Sequence, residues 1–244
     1  MSHNFLAIKE GAFFISDSHE SENKRRNFGK FLDAILSEKL KPAALFLMGD
    51  MYDILIGLDK YSEKLWANQI EKLDTIAQKI EVYYFEGNHD FNLQKLFRNV
   101  KVVPISSQPL LFETPKGVLA LSHGDKYCGI FYKIYTAVFR CKITLFLLSM
   151  YEKFTNYRFT KKMTKKLENK KICRKIENFE NIIASKIDNY KDCKYVAEGH
   201  YHQNKTFTCK DKIYINFGSF ACENVYYIFT CKEGLEFQQK VFNP

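Results

Sequence analysis

The sequence predicts a layered α/β domain, on three observations. Short apolar runs rich in β-branched and aromatic residues recur along the chain, amphipathic helical stretches separate the first three of them, and the last runs follow one another without a helical stretch between them. Alternation of strand and helix in the first half implies a mixed sheet covered by helices, and the late cluster implies antiparallel strands. The runs are AFFIS (12–16), AALFLM (43–48), VYYFE (82–86), VLALS (118–122), YVAE (195–198), IYINF (213–217) and VYYIFT (225–230). Their length and continuous apolar character suit buried strands. Between the first two, Phe28, Phe31, Leu32, Ile35 and Leu36 recur at i, i+3, i+4, i+7 and i+8, one face of a helix that Pro42 closes. A second helix, about 65–80, carries Leu65, Ile70, Leu73, Ile76 and Ala77 in similar register.

The stretch from about 130 to 189 has a different character. It holds many lysines, apolar residues at helical spacing and no strand-like run bounded by turns, so it reads as a helical insertion in a single domain spanning 1–244. The net charge of +9 is concentrated there: Lys126 to Lys194 holds 17 Lys+Arg against 6 Asp+Glu, leaving 20 basic and 22 acidic residues elsewhere. Inside it, ITLFLLSMY (143–151) is uncharged and is followed by the lysine-rich KKMTKKLENKKICRK (161–175). Such a pair is either a buried helix with a solvated basic continuation or an apolar wall beside a basic surface, suited to an anionic amphiphile or an anionic membrane face.

No uncharged apolar run is long enough to span a bilayer, and MSHNFLAIKEG lacks the basic-then-apolar order of a secretory leader, so a cytoplasmic protein is expected. Seven scattered cysteines without a C-x-x-C pair suggest neither a disulfide framework nor a thiolate zinc site, and reduced, mostly buried thiols are expected.

Five short stretches each follow a predicted strand: SDSH (Asp17, His19), GDMYD (Asp50), EGNHD (Asn88, His89), SHGD (His123) and EGHYH (His200, His202). They contain five of the six histidines, and loops at strand ends are where ligands bind in α/β sheets. Asp, His and Asn offer oxygen and neutral nitrogen without sulfur, a set that suits Mn, Fe or Zn. Two cations about 3.5–4 Å apart can share a bridging carboxylate, lower the pKa of a water and clamp the oxygens of an in-line phosphoryl displacement.

A lone D-x-H or H-x-H is a weak signal, whereas the ordered series D-x-H, GD, GNHD, HG and GHxH over about 185 residues is specific. In that series the chain resembles the calcineurin-like metallophosphoesterases, which implies an α/β/β/α sandwich, here with a helical lid insertion at 130–189. Position by position, the resemblance implies that Asp17 and His19 bind a first metal, Asp50 bridges both, and Asn88, His123 and His200 bind the second while His202 returns to the first. His89 would contact the phosphate and protonate the leaving oxygen, and Asp90 and Asp125 would orient histidines. Two divalent ions are implied, Mn2+ being the expected pair.

The insertion bears on the substrate. Its place between HGD and GHxH is similar to that of the lid in the bacterial UDP-2,3-diacylglucosamine pyrophosphohydrolases of lipid A synthesis, and HGDKYC (123–128), the Tyr and Arg of FYKIYTAVFRCK (131–142) and INFGSF (215–220) resemble that family's words. Two positions depart from it: His89 stands where its best-known members have Arg, and GIFY (129–132) replaces an acidic pair. The resemblance implies an anionic nucleotide-lipid substrate, contacted by Asn88, His89, Arg140, Lys166 and His200, and peripheral attachment to the cytoplasmic face of the bacterial inner membrane. A nucleotide, phosphoprotein or nucleic-acid substrate is the alternative, although no stacking module for a nucleic acid is recognisable. A non-catalytic scaffold of the same fold is the third reading; such a scaffold is expected to have lost ligands, and every proposed position is filled.

Overall fold

The computed structural model describes residues 6–244, apart from the side chains of residues 130, 131, 133 and 135. The first half contains β1 (Leu6–Ala7), β2 (Phe13–Ile15), α1 (Asn27–Leu36), β3 (Ala44–Leu47), β4 (Leu55–Ile56), α2 (Lys60–Leu65), α3 (Ala67–Ala77) and β5 (Glu81–Phe85). Next come β6 (Asp90–Phe91), β7 (Lys101–Val103), β8 (Leu110–Glu113) and β9 (Leu119–Ser122). Four helices follow: α4 (Ile130–Arg140), α5 (Lys142–Phe154), α6 (Arg158–Glu168) and α7 (Phe179–Lys186). The chain closes with β10 (Tyr195–Glu198), β11 (Lys205–Cys209), β12 (Lys212–Asn216), α8 (Phe220–Glu223), β13 (Val225–Thr230) and β14 (Glu236–Val241).

Two six-stranded sheets result, in the orders β14-β13-β2-β3-β5-β7 and β1-β8-β9-β10-β12-β11. Alternation along each strand explains why they stack. Phe13, Ile15, Leu45 and Leu47 face α1 and α3, where they meet Phe28, Phe31, Leu32, Leu73 and Ile76. The intervening Phe14 and Phe46 face the other sheet and pack with Phe112, Leu121, Ala197 and Phe217. Ala120, Val196 and Tyr214 turn outward from the second sheet onto Phe179 and Ile183 of α7. The layers are therefore helix, sheet, sheet, helix, each central strand being buried on both faces.

All seven predicted strands are present. Of the unpredicted strands, β7, β11 and β14 carry charged or polar residues on half-solvated faces, which hides them from an apolar-run criterion, while β8 (LLFE) has an apolar run of only three residues and β1, β4 and β6 are two residues long. The expected antiparallel character of the late strands holds for β11, β13 and β14, but β10 runs parallel to both β9 and β12. The reason is that β11 pairs as an antiparallel hairpin on the far side of β12, so the chain returns before entering β12 in the direction of β10. In that register Ser122, Glu198 and Asn216 lie abreast, and Ile15 lies beside Leu47. The loops after these strands thus leave the sheets at a common edge.

The insertion divides differently from its expected bounds. Helices α4 to α6 stand over the loop edge, but α7 is an outer layer of the sandwich, its Phe179 and Ile183 fully buried against the second sheet. The N-terminus of α6 is capped by Glu152 of α5, whose carboxylate accepts from Phe159 N (3.1 Å) and Thr160 N (3.0 Å). The expectation of reduced, mostly buried thiols is corrected in two ways: Cys173, between α6 and α7, is disulfide-bonded to Cys222 of α8, and of the free cysteines Cys209 and Cys231 are buried while Cys128 and Cys193 are half-buried and Cys141 is exposed. Cys173 and Cys222 are 49 residues apart, and only the packing of the segment after α6 against α8 brings their Cα atoms to 5.7 Å, a separation a disulfide can bridge.

Candidate metal centre

The loops after β2, β3, β5, β9 and β10 deliver the chemistry to one place. Asp17, His19 and His202 form one group whose ligand atoms lie within 4.8 Å of one another, and Asp50, His123 and His200 form a second. Asp50 stands between them: its Oδ2 is 3.5 Å from His123 Nε2 and 4.0 Å from both His19 Nε2 and His89 Nε2. His202 Nε2 is 3.1 Å from Asp17 Oδ1, and His200 Nδ1 is 3.3 Å from His123 Nε2. Six of the seven residues expected as ligands thus fall in two adjoining clusters; a third group, His19, Asp53 and His89, overlaps the first, and Asn88 lines the same cavity as His19, Asp50, His200 and His202.

The backbone turns sharply to do this. Asp17, His19, Asp50, His200 and His202 all have positive φ, between 42° and 63°. Non-glycine residues held there cost on the order of 1–3 kcal/mol each and persist only where the surroundings fix them. Two glycines permit the close approach: a Cβ on Gly87 would overlap the Asp50 carboxylate, and one on Gly199 would overlap the side chains of Ser16 and Asp17. With that space free, His89 N donates to Asp50 Oδ1 (2.8 Å) and His200 N to Asp17 Oδ2 (3.0 Å).

Main-chain carbonyls orient most of the rings. Met48 O lies 2.9 Å from His123 Nδ1, Asp53 O 2.7 Å from His89 Nδ1 and Ile172 O 3.1 Å from His202 Nδ1. Each carbonyl fixes the proton on Nδ1 and leaves Nε2 facing the carboxylates. Asp53 places Oδ1 3.3 Å from His19 Nδ1, close enough for its charge to act although that nitrogen makes no hydrogen bond, and pairs through Oδ2 with Arg25, whose Nε donates to His19 O (2.8 Å). Its only signal in the sequence is its position three residues after Asp50 on the same loop. The expected role of Asp90 changes: its carboxylate accepts from Asp50 N (3.0 Å), Met51 N (2.7 Å) and Gly87 N (2.8 Å), holding two loop backbones and no histidine ring. Asp125 accepts from Tyr132 Oη (3.1 Å) and reaches His123 by charge alone.

The electrostatics suit cations. Burial opposes the charges on Asp50 and Asp17, yet His123, His89 and His19 hold Asp50 well below the usual carboxylate range, and His202 and His123 lower Asp17. Against their own burial, His123 is raised by Asp50 and His202 by Asp17. Burial, reinforced by the charge of His123, pushes His200 down to about 3, and burial lowers His19. Neutral rings at His19 and His200 can offer nitrogen directly, and protons on His123 and His202 would be released as metal binds. The fit is supported by Asn88, whose buried Oδ1 has no hydrogen-bond partner. An unpaired buried oxygen of this kind is a cost unless a donor or cation meets it.

Two cavities adjoin the centre. One, of about 280 Å³, is bounded by the clusters and by Lys170, Lys171 and Arg174. The other, of about 260 Å³, starts at Asn88 and His89 and runs between α4, α5 and α6, where Phe139, Leu145, Leu148, Met163 and Leu167 make its walls apolar. Arg140 lies on its wall but is fastened to Glu86 Oε2 (3.1 Å) and Gly87 O (2.6 Å) and stacked on Phe91. Lys166 is corrected as a substrate contact: it is exposed and borders neither cavity. Thr160, Met163, Thr164 and Leu167 set the inward face of α6, and position 166 falls outside that phase. The cations beside the centre are instead those just beyond the helix.

Comparison with known proteins bears on this geometry. Proteins named UDP-2,3-diacylglucosamine hydrolase are similar to the chain: that of Bordetella parapertussis is 29% identical over 127 residues (51% of this chain, 49% of that protein). Those of Coxiella burnetii and Histophilus somni are 28% identical over 123 residues (49% and 49%) and 31% identical over 119 residues (48% and 50%). The chain spans about half the length of these curated relatives. Among solved structures, an archaeal phosphodiesterase aligns over 95% of this chain and 99% of its own at 12% identity and TM-score 0.47. The phosphoesterase YfcE from E. coli aligns over the same shares at 14% identity and TM-score 0.43. The model of the calcineurin-like phosphoesterases matches residues 12–204, which runs from the first central strand to just past His202, and the chain belongs to that family.

Proposed function

We propose that the protein is a dinuclear metal-dependent hydrolase that splits the pyrophosphate of an acylated nucleotide sugar of the UDP-2,3-diacylglucosamine class, giving UMP and the diacylated sugar 1-phosphate. One observation carries this reading: the apolar cavity between α4, α5 and α6 opens directly at Asn88 and His89, beside the two ligand clusters. A substrate with acyl chains on one side of a pyrophosphate needs apolar space joined to a cationic centre, whereas a phosphoprotein or nucleic acid does not.

In this reading Asp17, His19, His202 and Asp50 would hold one divalent ion, and Asp50, Asn88, His123 and His200 would hold the other, Mn2+ being the expected pair. The ions supply a nucleophile at neutral pH and neutralise charge on the phosphoryl oxygens. His89, its Nδ1–H set on Asp53 O, turns Nε2 toward the reacting group and, when the ring carries a proton on both nitrogens, would donate the Nε2 proton to the leaving oxygen and remain neutral with Nδ1–H in place. Lys170, Lys171 and Arg174 attract the pyrophosphate charge from the opposite side. Arg140 holds Gly87 O, and with it the loop carrying Asn88 and His89, while its outer edge meets substrate.

Access to the substrate is proposed to come from a membrane surface on the cytoplasmic side. No helix among the described residues is long and apolar enough to cross a membrane. Helix α5, however, has two apolar faces: Leu145 and Leu148 line the cavity, while Ile143, Phe146, Leu147, Met150 and Phe154 are 46–86% exposed. An outward apolar face beside lysines is the pattern of an interfacial helix.

The test is incubation of the metal-loaded protein with UDP-2,3-diacylglucosamine, with release of UMP as the readout. Leu148→Trp, which fills the cavity, is expected to raise KM for this substrate about tenfold or more while leaving hydrolysis of a small phosphodiester nearly unchanged. A preference for the unacylated UDP-sugar or for a nucleic acid overturns the reading.

A further inference from the structure

A buried cation lies behind the metal centre, outside both cavities. Lys186, at the end of α7, is 3% exposed and Glu198, at the end of β10, is fully buried. The single Nζ donates to Gly124 O (2.8 Å) and to both carboxylate oxygens, Glu198 Oε1 (3.0 Å) and Oε2 (2.8 Å). All three ammonium protons are therefore used. The carboxylate also accepts from Tyr214 Oη (2.5 Å) and Tyr190 Oη.

What these bonds join is specific. Gly124 directly follows His123, and Glu198 is separated from His200 by Gly199 alone. One atom thus fastens the loop of β9 to the end of β10, the two segments whose rings meet with His123 Nε2 3.3 Å from His200 Nδ1. Around it, the ring of Tyr201 lies 4.7 Å from Lys186 Nζ and 4.8 Å, edge-on, from the His200 ring, and its hydroxyl lies 3.4 Å from Cys128 Sγ. Cys128, the last residue of HGDKYC, in turn lies against Gly124 O at 3.8 Å. The surroundings leave little room for adjustment, since a Cβ on Gly124 would come within 3.2 Å of the His200 Cβ.

Buried ion pairs are poor sources of net stability, because desolvation offsets much of their attraction and apolar replacements are often as stable. A point charge with three donors is, however, well suited to setting the distance between two backbones. We infer that Lys186 is a positioning residue: through Gly124 and Glu198 it fixes the spacing of His123 and His200, and so ties the geometry of one candidate metal-binding cluster to α7, an outer helix of the sandwich. The inference rests on the reading that His123 and His200 hold one cation together.

The experiment is metal titration of Lys186→Met/Glu198→Gln, which removes both charges and leaves no unpaired ion. The wild type is expected to bind two Mn2+ with a spin-coupled signal in electron paramagnetic resonance. The folded double variant is expected to keep one ion, to bind the other about 10–100-fold more weakly, and to lose the coupled signal. Should the double variant fail to fold, Lys186→Arg serves: it keeps the charge but cannot bring three donors from one atom, and about a tenfold loss at one ion is expected. Wild-type affinity for both ions in either folded variant overturns the inference and leaves the metal centre standing. A wild type that binds no divalent ion removes the metal centre itself, which separates the two failures.

Discussion

Asp53 illustrates how a residue outside the two expected ligand sets can bear on a centre. Its carboxylate places a charge 3.3 Å from His19 Nδ1 and pairs with Arg25, and its carbonyl accepts from His89, so it acts on one candidate ligand ring by charge and orients the ring assigned to proton transfer. Asp53→Asn is expected to weaken the first cation about 10–100-fold, as loss of a carboxylate behind a ligating histidine does, with the fold retained; isothermal titration with Mn2+ checks it, and an unchanged affinity refutes the role. The candidate ligands were legible in the sequence because each sits within a few residues of a strand end, so a short word preserves its geometry. Asp53 was not, since a carboxylate three residues past a ligand carries no signature of its own. Nor was the partner of Asp90, which depends on two loops from different strands meeting at one carboxylate.

At the level of elements, the segment between α6 and α7 is short of regular structure and rich in contacts. Ile172 supplies the carbonyl that orients His202, Lys170, Lys171 and Arg174 face the centre, and Cys173 joins Cys222 on α8. Helix α8 in turn presents Phe220 N to Ser16 O (2.9 Å) and Ser219 Oγ to Asp17 O (2.7 Å). The disulfide therefore braces the supports of Asp17 and His202 together. Cys222→Ser is expected to lower stability by about 2–4 kcal/mol, the usual range for closing a loop of this size, and to weaken the cation shared by Asp17, His19 and His202. Thermal melts with and without a dithiol check the first part; a melting point unchanged by either treatment refutes it. The end of the lid is not marked in the sequence for a related reason: α7 (FENIIASK) continues the apolar helical spacing of the helices before it, and only its docking on Ala120, Val196 and Tyr214 assigns it to the sandwich.

Across the whole molecule, exposed apolar residues and lysines gather on the helices that wall the cavity. Ile134 and Val138 of α4 and Phe146, Leu147 and Phe154 of α5 are exposed, as are Lys142 and Lys153 of α5 and Lys161 and Lys162 of α6. Binding to anionic vesicles is expected, with each lysine near the surface contributing about 1 kcal/mol at low ionic strength and the attraction falling as salt rises. Co-sedimentation with phosphatidylglycerol vesicles measures it, and Phe146→Glu/Phe154→Glu is expected to reduce the bound fraction at least tenfold. Equal binding by that variant would show that charge alone accounts for the attachment. By itself the sequence determined the alternation of strands and helices, the five ligand-bearing loops in their order, and the basic, apolar insertion, because each depends on residues close together in the chain. Only the tertiary structure decided which face of the insertion meets the centre, which helix belongs to the sandwich, which cysteines pair, and that Lys186 and Asp53 stand behind the ligands. Those are contacts between separate segments of the chain, such as Lys186 with Gly124 62 residues away and Cys173 with Cys222 49 residues away, where no local pattern records the partner and packing alone brings the atoms within bonding distance.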